Sequence, residues 1–186
     1  MSLFTGKGDG GTTKFFDTPK GARVSKASCR TECLGASDEL NSFLGLCKVH
    51  SDATRYTLHA VRVSHIVEQV QQSLFIIQAE MAGAEKTIAE EKVRNMEKLI
   101  NLIEAEMPPI KTFFISGGTE LASLFDISRT LARRMERRVV EAVEKKEVKV
   151  GEQTLAYINR LSSLLYALAR YANFKAGIKE SPPSYK

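Results

Sequence analysis

From about Gly35 onward the hydrophobic residues recur at three- and four-residue steps, a spacing that predicts helices. Ser37-Asp38-Glu39 opens the first helix, which ends near Lys48. A second spans about 52–82, with Val63, Ile66, Val67, Val70, Leu74 and Ile77 on one stripe, and Gly83 interrupts it. Thr87-Ile88-Ala89-Glu90 reads as a capping box, with Thr87 as N-cap and Glu90 reaching back. The third helix carries Val93, Met96, Ile100 and Ile103 and stops before Pro108-Pro109. After an apolar stretch, Phe113 to Ile115, and the pair Gly117-Gly118, a fourth helix runs over about 119–146. A fifth runs over about 152–176 and is closed by Gly177. The first thirty or so residues, rich in Gly, Thr, Lys and Pro, hold no sustained period. The predicted fold class is therefore all-α. It is one domain: a glycine-rich arm (1–34), a five-helix bundle (35–177) and a disordered tail (178–186).

The arm contains Gly6, Gly8 and Gly11 in a G-x-G-x-x-G pattern, which invites a dinucleotide-binding reading. That fingerprint needs a strand before it and a helix after it, inside a parallel sheet. Only five residues precede Gly6, and no helical pattern follows Gly11. A Walker A loop fails as well, because no Gly-Lys-Ser/Thr closes the stretch.

Composition narrows the remaining classes. The 186 residues suffice for one domain with a real core. There is no run of about 18 apolar residues, so no membrane-spanning helix is predicted. A basic-then-apolar leader pattern is also missing, and the expectation is a cytoplasmic protein. The net charge of +5 is compatible with a polyanionic ligand such as a nucleotide. Cys29, Cys33 and Cys47 are read as reduced thiols. His50, His59 and His65 are not spaced for one helix to aim two at a metal, so no protein metal-ligand set is predicted. Nucleic-acid binding is not expected, since the basic residues are few and aromatic interleaving is missing.

Two helical faces carry candidate chemistry. At about 100° per residue, Arg129, Arg133, Glu136 and Arg137 share one face of the fourth helix, bordering the apolar stripe. Arg134 and Arg138 point elsewhere. A solvated face with i,i+4 pairs is the plainer reading of such a helix. The preponderance of arginine, whose fork suits phosphate oxygens, favours an anion site. In the fifth helix Asn159, Ser163, Tyr166 and Arg170 line a polar stripe beside the core stripe of Ile158, Leu161, Leu165, Leu168 and Ala172. That stripe fits a nucleoside or a subunit seam equally well.

Four segments, in order, resemble the PduO-type ATP:cob(I)alamin adenosyltransferases, over most of the chain to about residue 177. "TGKGDGGTT" is similar to the family's T-x-T-G-D-x-G-x-T loop. "GARVSKASCRTECLGASDELNSFLG" resembles R-V-x-K followed by G-T-x-D-E-L-N-S-x-I-G. "FFISGGTELASLFDISRTLARRMERRVV" resembles F-x-x-P-G-G and then C-R-x-x-x-R-R-x-E-R. "YINRLSSLLYALARYA" resembles L-N-R-L-S-D-x-L-F-x-L-A-R-x-A.

The resemblance implies a homotrimer of five-helix bundles with active sites between subunits. It implies transfer of the 5′-deoxyadenosyl group of ATP to the cobalt of a reduced corrinoid, with Mg²⁺ and release of triphosphate. A reductase or an adenosylcobalamin-dependent enzyme is an implied further partner. By motif, Thr5, Gly6, Lys7, Gly8, Lys26, Arg133, Arg134, Glu136, Arg137 and Asn159 are the implied ATP-binding set. Arg133, Glu136 and Arg137 are its catalytic core. Asp38 and Arg129 match a pair that bridges subunits on the corrinoid side, and Phe113 an aromatic that helps displace the corrinoid's lower base. The chain departs from the pattern at Gly6-Lys7, where lysine is shifted by one, at Ser116 in place of Pro, and at Ser163 in place of Asp. These departures leave a second expectation open: a non-catalytic nucleotide or corrinoid sensor or chaperone of the same fold.

Overall fold

The computed structural model describes residues 4–185; Met1 to Leu3 and Lys186, the outermost parts of the expected arm and tail, lie outside the described residues. Two short hairpins and five long helices follow one another: β1 (Thr12–Thr13), β2 (Val24–Ser25), α1 (Cys29–Thr54), β3 (Thr57–Leu58), β4 (Val61–Arg62), α2 (Val63–Met81), α3 (Glu90–Glu106), α4 (Glu120–Glu144) and α5 (Glu152–Lys175). Each hairpin is antiparallel, with Thr12 opposite Ser25 in the first and Thr57 opposite Arg62 in the second. Helix α1 packs on α2 and α4, α4 packs on α5, and α5 packs on α3. The all-α expectation therefore holds, with the two hairpins as small additions.

The apolar stripes read from spacing are the buried ones. Val63, Ile66, Val67, Val70, Leu74 and Ile77 of α2 are all in the core. So are Phe125, Ala132 and Met135 of α4 and Ile158, Leu161, Leu165 and Leu168 of α5. Their removal from water is the main force holding five helices together.

Several boundaries differ from the expectation, for local reasons. Helix α1 begins at Cys29, well before Ser37, because the Ser28 side chain accepts from the Thr31 backbone N–H and caps it. It runs past Lys48 to Thr54, where Arg55 in the left-handed region (φ 56°) closes it by bonding Ser51. The stretch expected to open the second helix instead turns through His59 and Ala60, at φ 45° and 69°, in the second hairpin. The Thr87 capping box does not form. Ala89 is the N-cap of α3 and makes no side-chain cap bond, while the Thr87 hydroxyl lies 3.5 Å from that of Thr154. Glu80, from the last turn of α2, serves the start of α5, accepting from the Gly151 N–H (2.8 Å) and the Thr154 hydroxyl (2.5 Å). A carboxylate there also complements the positive end of the helix dipole.

The arm is tied to the bundle. Phe16 N–H donates to the Ala82 carbonyl at 3.0 Å. Arg30 pairs with Asp17 at 2.8 Å, donates to the Met81 carbonyl and lies 4.3 Å over the Phe15 ring. The expected tail also makes contacts at its start: Ile115 N–H donates to the Ser181 carbonyl, and Glu180 lies against Arg170 and Asn173.

Candidate active site

Two groups of residues singled out by sequence are each assembled by the fold. The first is the glycine loop. Turns close from Asp9 N–H to the Gly6 carbonyl and from Gly11 N–H to the Gly8 carbonyl. Gly6 (φ 67°) and Gly11 (φ 73°) adopt a conformation that side chains disfavour. Lys26 N–H then bonds the Gly11 carbonyl at 2.9 Å, and Arg23 ties β2 to Thr12 through its carbonyl and hydroxyl. This hairpin brings the Lys26 ammonium over Gly8, 3.1 Å from where a Cβ would stand. The missing side chain is what lets a cation and a backbone turn converge. Thr5 and Lys7 are exposed beside them, and neither lysine is paired with a carboxylate among the described residues.

The second is a cleft of about 500 Å³ formed by α3, α4, α5 and the loop before α4. Phe113, Arg129 and Arg133, all predicted, line it together with Ser163. The Phe113 ring is 75% exposed, so packing within the chain does not hold it. Arg129 lies 3.5 Å from Asp126, one turn earlier on α4. Arg133 and Arg137, exposed and one turn apart, have no acidic partner among the described residues. Beside them Asn159 donates to Glu136 at 2.9 Å and accepts from Arg160 at 3.3 Å. Arg–Glu–Arg and Asn thus share the junction of α4 and α5: spacing placed the first three on one face of α4, and the contact with Asn159 of α5 is tertiary.

Two predicted residues lie away from this cleft in the single chain. Arg134 forms an ion pair with Glu39 on α1. Asp38 is exposed on α1, and Arg129 is engaged within its own helix. The glycine-loop group also shares no lining residue with the cleft. One chain therefore carries the two groups in separate places.

Spacing did not distinguish Asp126, Arg170 and Asn173 as a set. Arg170, placed on a polar stripe, is 2% exposed and donates to Asp126 at 2.6 Å. Tyr166 was on the same stripe, and its ring stacks under the Arg170 guanidinium at 5.0 Å. The i,i+3 step from Asp126 to Arg129 was readable, but the partner 44 residues away on α5 was not.

Comparison with known proteins gives this geometry a context. The family model for cobalamin adenosyltransferase matches residues 3–172. The corrinoid adenosyltransferase of Bacillus subtilis is 36% identical over 182 residues, covering 96% of this chain and 90% of that protein. The chain belongs to the cobalamin adenosyltransferase family. The corrinoid adenosyltransferase PduO of Salmonella typhimurium is 40% identical over 178 residues, covering 91% of this chain but 49% of that protein. The chain thus spans about half the length of PduO proteins such as this one. Among solved structures, a variant PduO-type ATP:corrinoid adenosyltransferase from Lactobacillus reuteri, complexed with cobalamin and ATP, superposes with a TM-score of 0.84. It is 28% identical, and the alignment covers 98% of this chain and 99% of that one. A second variant of the same enzyme, complexed with ATP, gives 0.83 at 30% identity, covering 98% of this chain and 100% of that one. The Lactobacillus reuteri enzyme thus shares this chain's helical frame over nearly its whole length.

Proposed function

We propose that the chain transfers the 5′-deoxyadenosyl group of ATP to the cobalt of a reduced corrinoid, releasing triphosphate. The observation that carries this reading is the near full-length likeness to a family member complexed with both cobalamin and ATP. The electron pair of cobalt(I) attacks C5′, a Co–C bond forms, and the C5′–O bond breaks. Triphosphate departs with that bond's electrons, and cobalt becomes formally cobalt(III). The substrate is itself the nucleophile, so the protein has no acid–base pair to supply. Its tasks are to align C5′ with cobalt and to stabilise the departing anion.

The named residues fit those tasks. The proposed triphosphate site is the glycine loop, where Lys26 stands over Gly8, with Thr5, Gly6 and Lys7 in the same segment. Arg133 and Arg137 add guanidiniums that no carboxylate among the described residues neutralises. Glu136 is held by Asn159 and is placed to orient an arginine or the ribose. Arg134, paired with Glu39, joins the ATP set through its motif alone. No group of three or more metal-ligating side chains stands together among the described residues. Mg²⁺ is accordingly assigned to the triphosphate oxygens, as is usual for this ion, and no step here is routed through it.

Phe113 faces the corrinoid side of the cleft, where an apolar ring displaces the lower base and makes cobalt easier to reduce. Asp38 and Arg129 are the proposed pair across a subunit boundary. The proposed assembly is a homotrimer, in which a neighbouring copy brings its glycine loop to the arginines of α4. Leu46 and Val49 on α1 and Ile127 on α4 are exposed apolar residues on adjoining helices, available to such a contact. Among the described residues no helix is long and apolar enough to cross a membrane. The proposed location is cytoplasmic. The test is the formation of adenosylcobalamin from ATP, Mg²⁺ and chemically reduced cobalamin. Binding of ATP or corrinoid without turnover would favour the sensor or chaperone alternative.

A further inference from the structure

We propose that Asn173 and Glu180 are positioning residues that fix the loop carrying Phe113, so that the start of the C-terminal tail sets the geometry of the corrinoid cleft. The inference rests on the corrinoid reading given above. An exposed phenylalanine is not held by its own packing, so the position of the Phe113 ring is set by the backbone around it. That backbone is clamped from two sides. The Asn173 amide, 1% exposed, donates to the Gly117 carbonyl at 2.8 Å and accepts from Thr119 N–H at 2.9 Å. Gly118 crosses this amide so closely that a Cβ there would overlap it. On the other side Ile115 N–H donates to the Ser181 carbonyl at 2.9 Å.

Glu180 locks both clamps together. It accepts from Asn173 at 2.7 Å and lies 3.0 Å from Nε of Arg170. Arg170 is a buried cation whose other acidic partner is Asp126, and Asp126 also faces Arg129 in the cleft. Without Glu180, one carboxylate would have to serve two guanidiniums, and the buried one would be undercompensated. The Phe114 ring, adjacent to Phe113, lies 6.0 Å from the same Arg170 guanidinium. Glu180 therefore touches neither substrate, yet it braces Asn173, which with the Ser181 carbonyl holds the segment that follows the Phe113 ring.

The experiment compares Glu180→Ala with the unaltered full chain on two substrates. One is cob(II)alamin with a mild reductant such as reduced flavin, where the lower base must be displaced before cobalt accepts an electron. The other is cob(I)alamin already reduced chemically, which bypasses that step. The variant should lose about tenfold in rate on cob(II)alamin and stay within about twofold on cob(I)alamin. Electron paramagnetic resonance of bound cob(II)alamin should show a smaller fraction without its lower base. Equal losses on both substrates, or no loss on either, would overturn the proposal. If Glu180→Ala fails to fold, Glu180→Gln, which keeps an acceptor for Asn173, is judged by the same two rates. Inactivity of the unaltered chain on both substrates would overturn the corrinoid reading itself, an outcome distinct from the preceding ones.

Discussion

Arg133 and Arg134 are neighbours in sequence with opposite situations. Arg134 is spent on Glu39, whereas Arg133 lines the cleft and forms no ion pair among the described residues. An unpaired arginine costs little while exposed and becomes useful when an anion arrives. Arg133→Ala should therefore lower turnover by about 10²–10³-fold, the usual cost of one anion-stabilising donor. Circular dichroism and melting temperature should stay unchanged, and Arg134→Ala should cost less; a larger loss from Arg134→Ala would reverse their assigned roles. The cysteines allow a second residue-scale check. Burial pushes the Cys33 thiol up to about 12 and also raises Cys47. Both should resist alkylation in the folded protein at neutral pH, while half-buried Cys29 reacts. The sign of the linkage is fixed by the raised folded value. The unfolded thiol loses its proton near 9 and the folded one near 12, so this contribution is intact below pH 9 and is lost as pH rises toward 12. Alkaline unfolding of Cys33→Ala should show a shallower fall over that window.

Helices are the scale at which sequence spoke most clearly, and their ends the scale at which it misled. Thr119 starts α4 by accepting from Ala122 N–H at 3.1 Å. Thr119→Ala should cost about 1 kcal/mol in chemical denaturation. Phe125→Ala, in the buried stripe of the same helix, should cost about 3–5 kcal/mol. The interior of each helix was legible because periodic apolar residues report one buried face. The early start of α1 was not, since its first buried positions are Cys33 and Ser37 rather than large aliphatics. Thr87 looked like a cap because its neighbours fit a local motif, yet a tertiary contact with Thr154 claims its hydroxyl. Arg170 likewise read as a polar-face residue, because nothing local signals a carboxylate supplied by another helix. Arg–Glu–Arg on α4 was readable for the opposite reason: its members share a face through one helix period, whereas the bond from Asn159 on α5 was not.

The whole molecule carries two separate groups on one chain, the Lys26 ammonium over Gly8 and the cleft at Arg129 and Arg133, which under the proposed function are two half-sites. An assembly that joins the glycine loop of one copy to the cleft of the next accounts for both. Sedimentation should give three chains per particle. Lys26→Ala and Arg133→Ala chains, each inactive alone, should recover part of the activity when refolded together, because mixed trimers contain some sites intact on both sides. No recovery would place both halves of the site in one chain. The central claim is tested most directly by the visible spectrum of chemically reduced cobalamin mixed with ATP, Mg²⁺ and the purified chain. The cob(I)alamin bands should give way to those of adenosylcobalamin, with triphosphate released in equal amount. Persistence of the cob(I)alamin spectrum with a folded, ATP-binding protein would contradict the account.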